Sequence, residues 1–272
     1  MKKLLAITAL SAALFFGQTV AAEEKAAEEV KPSHVEMVLV LDESGSMSDL
    51  TRDTIGGFNS MIEKEKKLDV DAHVTTVLFN DQYKMLYNRR ELKDVRKMTD
   101  KDYTPGGMTA LLDAVGRTIH KMDMVSGIHR KDKGNKVLFV IITDGEENDS
   151  KEYSYADVKK LIKDRQENAG WEFIFLGANI DAAAEAENLG IDRDRAVKYK
   201  NTGSGVRANF KAVAELSDSL AKSGRVSDEW KSQVEEDTDE DIMAAPANAK
   251  ENTGPTAKPV KKHLVSKVRK AK

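Results

Sequence analysis

The sequence predicts an α/β fold: a doubly wound, mostly parallel six-stranded sheet with one antiparallel edge strand and helices on both faces. The first observation is a pair of apolar runs, residues 37–41 and 137–142, too continuous for strands with one wet face and therefore read as strands buried on both sides. The second is that most segments between strands place apolar residues at helical spacing, and strands alternating with helices build parallel sheets. The third is an exception. Residues 73–79 and 83–87 are separated only by a turn around Asn80 and Asp81, which marks a hairpin and one antiparallel edge.

The elements follow in order. Residues 1–22 have a short basic start at Lys2 and Lys3, an apolar run and a small-residue end at Ala21 and Ala22, the pattern of a cleaved secretory signal peptide. Residues 23–34 read as an acidic linker, and the domain is placed at 35–224. After the strand at 37–41, Ile55, Phe58 and Ile62 mark an amphipathic helix. The hairpin comes next, then a Gly/Pro loop at 103–109 and a helix with Leu112, Val115, Ile119 and Met122 on one face. Past the strand at 137–142, a helix carries Tyr155, Val158, Leu161 and Ile162. A strand at 171–176, a short helix at 182–189 and a weak strand at 196–199 follow. The last helix carries Val206, Phe210, Val213, Leu216 and Leu220, with residues 202–205 capping it. Residues 225–272 read as a disordered tail, acidic at 235–241 and basic at 251–272.

Composition narrows the function classes. There is no cysteine, so neither a disulfide framework nor a lipid-bearing cysteine is available. Losing Lys2 and Lys3 with the leader leaves 41 Lys and Arg against 46 Asp and Glu, a formal charge of −5. An exported, acidic body is a poor match for nucleic acid. A periplasmic or secreted monomer is expected, with weak contact to an anionic membrane or polymer open to the basic tail. His34, His73, His120, His129 and His263 show no ligand spacing and read as surface or packing residues.

The chemistry gathers at strand ends. Asp42, Ser44 and Ser46 leave the first buried strand together, Asp144 ends the second, and Thr109 stands in the loop opening a helix. Ligands collect beyond the carboxyl ends of strands in an open α/β sheet. Five oxygen donors without His or Cys suit Mg²⁺ or Mn²⁺ far better than zinc, with Ca²⁺ a weaker fit. Asp42-x-Ser44-x-Ser46, Thr109 within Gly106-Gly107-Met108-Thr109 and Asp144 within Thr143-Asp144-Gly145 resemble the complete metal-ion-dependent adhesion site of a von Willebrand factor A-type (vWA) domain. The order of elements across 35–224 resembles that family too.

The resemblance implies a protein-binding module rather than an enzyme. Ser44, Ser46 and Thr109 would be direct ligands, and Asp42 and Asp144 would act directly or through water. The open position would take an Asp or Glu side chain from a protein partner. Neutral hydroxyls leave the cation enough charge to attract that carboxylate. Glu43, Glu146 and Glu147 are read as solvated loop acids and kept out of the ligand set. The alternative is a metal-dependent hydrolase in which the same ion activates water. A carboxylate from 235–241 could also occupy the open position in cis.

Overall fold

The computed structural model describes residues 34–67, 72–125, 135–232 and 234. The predicted leader, most of the linker, the acidic cluster and the basic tail lie outside the described residues. Six strands form one sheet: β1 (His34–Asp42), β2 (Ala72–Phe79), β3 (Tyr83–Glu91), β4 (Asn135–Thr143), β5 (Glu172–Gly177) and β6 (Ala196–Lys198). Their order is β3-β2-β1-β4-β5-β6; only the β2–β3 pair is antiparallel. The helices are α1 (Thr51–Glu65), α2 (Leu111–Asp123), α3 (Tyr155–Asp164), α4 (Ala182–Leu189) and α5 (Gly203–Ser223). Among the described residues, no helix is long and apolar enough to cross a membrane.

The continuous apolar runs are explained by a core on each side of the sheet. Along β1, Met37, Leu39 and Leu41 face one core while Val38 and Val40 face the other; along β4, Leu138, Val140 and Ile142 alternate with Val137, Phe139 and Ile141. Successive strand side chains point to opposite faces, so a strand covered twice must be apolar at every position. Helices α1 and α5 cover the first face and α2, α3 and α4 the second. Helix α1 approaches α5 closely because Gly57 lacks a side chain: a Cβ there would lie 2.4 Å from the Phe210 ring. Phe58 then meets Phe210 edge to face at 6.3 Å.

The chain crosses from one half of the sheet to the other between β3 and β4, so β1 and β4 are adjacent while their outgoing connections diverge. That divergence opens a crevice at their carboxyl ends, the switch point of a doubly wound sheet. Register sets Leu41 beside Ile142, which places the next residues, Asp42 and Thr143, side by side.

Both domain boundaries differ from the sequence reading. His34, assigned to the linker, opens β1 and is buried. The placement of the domain end at Gly224 is corrected more substantially. Gly224 does close α5, with φ 70°, but Val226, Trp230 and Val234 beyond it are buried in the first core. Their spacing resembles a tail because only three apolar residues are scattered among charged ones, and Trp230 sits in a single short helical turn, Asp228–Lys231. Trp230→Ala should therefore lower the unfolding free energy by about 3–5 kcal/mol, as loss of a large core side chain does; urea denaturation of the full chain measures it.

One buried acid joins α1 to α5. Ser217 Oγ donates to Glu65 Oε2 at 2.5 Å, and Glu65 Oε1 has no partner. Burial pushes the Glu65 carboxyl up to about 7, against the Ser217 hydrogen bond, with Asp218 adding to the rise. A carboxyl raised in the folded state contributes fully below its unfolded value, and that contribution is lost as pH rises through the folded value. At about 1.4 kcal/mol per unit the loss approaches about 3 kcal/mol by pH 8. Glu65→Gln, neutral at every pH, should be close to wild type at pH 4 and more stable than wild type at pH 8. An equal difference at both values would show that Glu65 is not held neutral.

Candidate metal centre

Asp42, Ser44, Ser46, Thr109 and Asp144 come to one place at the crevice. Asp42 ends β1, and its Oδ1 accepts the Ser44 backbone N–H at 2.7 Å, which folds the chain sharply off the strand. That fold brings Ser44 Oγ to 3.1 Å from Ser46 Oγ. Ser46 Oγ donates to Asp144 Oδ1 at 2.6 Å, tying the first loop to the end of β4. Asp42 Oδ2 accepts from Thr143 Oγ1, also at 2.6 Å. Thr109 closes the group from the α2 side: a Cβ on Gly145 would lie 3.8 Å from Thr109 Oγ1 and 4.0 Å from Ser46 Oγ. Both hydroxyls thus flank Gly145.

The acids are deep and the mouth is open. Asp42, Ser44, Thr109 and Asp144 are buried, whereas Ser46 is exposed. Met108, next to Thr109, is 51% exposed, one of two large apolar side chains so exposed among the described residues. Burial pushes the Asp42 carboxyl up, opposed by hydrogen bonds from Ser44 and Thr143, and the negative charge of Asp144 pushes it further. Burial, with the charges of the same two acids adding to it, raises the phenols of Tyr103 and Tyr199 well above their usual range. Among the described residues, no basic side chain pairs with Asp42 or Asp144; the side chains that meet them are hydroxyls, Asn179, which donates to the Asp144 carbonyl at 3.3 Å, and Asn201, whose Nδ2 lies 3.4 Å from Asp144 Oδ2. Two acids inside a wall of neutral oxygens fit a hard divalent cation as counter-charge, and no soft ligand stands among them.

The loops around this centre are fastened by backbone bonds. Gly45 N–H donates to Gly107 O and Gly106 N–H to Glu43 O, lacing the first loop to the second. Gly107 has φ 75°, and a Cβ there would meet Asp81 Oδ1 at 2.0 Å, so both conformation and space require glycine. Thr109 is gripped twice by Asn148: its N–H donates to Asn148 Oδ1 at 2.8 Å and its carbonyl accepts the Asn148 N–H at 3.0 Å.

Residues missed by the sequence reading hold this arrangement. Glu43 is buried, not solvated: its Oε1 accepts from Lys84 Nζ at 2.9 Å and from the Thr104 backbone. Glu147 is also committed, accepting the Leu112 N–H at 3.0 Å at the start of α2 and the Ser150 N–H at 2.7 Å. It satisfies one open N–H group of a helix terminus and one of the following loop. Glu146 is exposed, as expected. Asn148 and Asn201 carried no sequence signal, because an Asn in a polar loop looks the same whether or not it grips a neighbour. The histidines are corrected as well. His34 and His73 meet across β1 and β2 beside Glu36, which no local spacing could reveal.

Residues 34–190 match the vWA-TerF-like family, described as the vWA found in the TerF C terminus. The match spans more than half of the 272 residues, and the chain belongs to this family. No curated protein matches it. Solved structures with a similar fold include a von Willebrand factor type A protein from Catenulispora acidiphila, 16% identical over 68% of this chain and 42% of that one, TM-score 0.45. The ArnB paralog VWA2 from Sulfolobus acidocaldarius is 17% identical over 68% of this chain and 46% of that one, TM-score 0.46. The vWF domain of the type V pili tip protein Mfa5 from Porphyromonas gingivalis is 13% identical over 72% and 99%, TM-score 0.49. This chain spans under half the length of the first two.

Tyr103 supports the strand end from below, its hydroxyl donating to the Asp42 carbonyl at 2.6 Å in a fully buried position. Tyr103→Phe leaves that carbonyl unsatisfied and should cost about 1–3 kcal/mol of stability, measured by urea titration.

Proposed function

We propose that this protein is a divalent-metal-dependent protein-binding module that captures an Asp or Glu side chain of a partner. The observation that carries the reading is the pair of buried acids, Asp42 and Asp144, ringed by Ser44, Ser46 and Thr109 and met by no basic side chain among the described residues. In this reading Ser44, Ser46 and Thr109 offer hydroxyl oxygens to Mg²⁺ or Mn²⁺. Asp42 and Asp144 supply the charge that retains it, directly or through water. When bound, the ion presents a positive charge with a free coordination position for an incoming carboxylate. Ser46 lies at the accessible side, and the exposed Met108 offers an apolar contact beside the approaching acid. Membership of the vWA family supports a role in protein interaction, and residues 1–22 support action outside the cytoplasm.

The test combines metal binding with capture. Mn²⁺ should bind the full chain at one equivalent, and Asp144→Ala should weaken it at least 100-fold. Capture of a partner from an envelope extract should occur with Mg²⁺ and fail with EDTA or in Asp144→Ala. Met108→Ser should reduce capture several-fold while leaving Mn²⁺ affinity unchanged. Capture indifferent to both chelation and Asp144→Ala would sink the proposal.

A further inference from the structure

A second cluster lies at the other end of β1, about 26 Å from Asp42 at about 3.3 Å per residue. Strand pairing sets Glu36 opposite His73. His34, two residues before Glu36, projects to the same side: His34 Nε2 is 2.8 Å from Glu36 Oε1 and 2.9 Å from His73 Nδ1, and His73 Nδ1 is 3.3 Å from Glu36 Oε1. Two imidazole nitrogens and a carboxylate oxygen thus converge on one point. Glu36 is 2% exposed, and its second oxygen, Oε2, is buried with no hydrogen-bond partner. His73 is half-buried and gives access from solvent.

Arg89 of β3 now occupies the point of convergence. Its Nε donates to Glu36 Oε1 at 2.9 Å, and one of its terminal nitrogens contacts the same oxygen and lies 3.2 Å from His73 Nδ1. His73 Nδ1 thus faces the guanidinium, His34 Nε2 and Glu36 Oε1 together, the direction in which a metal ligand must point. Arg89 reaches this place from an unfavourable backbone: its φ is 45°, uncommon for a side-chain-bearing residue, beside the register irregularity between β2 and β3. One acid, two imidazoles and a replaceable cation make an exchange site.

We propose that His34, Glu36 and His73 form a transition-metal site, with Zn²⁺ the best-fitting ion, and that Arg89 is the internal cation the metal displaces. Two imidazoles and one carboxylate are a zinc ligand set, quite unlike the oxygen donors around Asp42. Bonds of about 2.0–2.1 Å at tetrahedral angles hold ligand atoms about 3.3 Å apart. The trio therefore has to open by only a few tenths of an ångström. His34 presents Nε2 as an acceptor in its other neutral tautomer, and Glu36 Oε2 gains a partner or a second bond to the ion.

Zinc competition against a chromophoric chelator, on the full chain in excess Mg²⁺, tests this. Wild type should bind one Zn²⁺ at this site. Affinity should fall at least tenfold in His73→Ala and in Glu36→Gln, stay unchanged in Asp144→Ala, and rise several-fold in Arg89→Ala, where the competing cation is gone. Co²⁺ in place of zinc should give a visible absorption band that His73→Ala removes, and circular dichroism verifies that each variant is folded. No zinc bound by wild type, binding kept by folded His73→Ala, binding abolished by Asp144→Ala, or weaker binding in Arg89→Ala would each overturn the proposal. None of these outcomes depends on partner capture, so this site stands or falls apart from the first.

Discussion

Parallel pairing of β1 with β4 is the constraint on which the rest depends. It sets two strands that run to opposite halves of the sheet side by side, and the register carries Asp42 and Thr143 to the same level. Asp144 follows one residue later. Two acids are then held close in a buried place, where their repulsion and desolvation must be offset. The offset comes from a backbone N–H of the Ser44 turn and from the hydroxyls of Thr143 and Ser46. The lacing between the first and second loops and the double grip of Asn148 on Thr109 fix where these oxygens stand. Both cores contribute at a distance, since they hold the strands whose ends carry the acids.

The fold was legible because its strongest signals are local. An apolar run without alternation can be recognised within six residues, and residues 137–142 need no distant partner to be read as a doubly covered strand. Helix α4 was expected at the boundaries it has, and there Asp181 caps its start and Gly190 its end. The hairpin edge was likewise expected, although β3 runs on to Glu91 through polar residues that no alternation pattern marked. The segment after α5 was misread because its burial comes from Trp230 reaching back to a core formed much earlier in the chain.

The candidate sites divide along the same line. Asp42, Ser44 and Ser46 lie within five residues and could be noticed together; Thr109 and Asp144 joined them through sheet topology and a family resemblance. Glu43 and Glu147 looked like free loop acids, since sequence shows the charge of a carboxylate but not the lysine or the N–H that meets it. His34, Glu36 and His73 are the extreme case. Their meeting requires the register between β1 and β2, a relation across 37 positions that leaves no periodic trace.

The burial of Val226, Trp230 and Val234 has a consequence for truncation. A chain cut short at the end of α5 keeps that helix and its contacts with α1, yet the first core then lacks the three residues that cover it. Translation that stops within the last helix would release a molecule with most of its fold and a wet core.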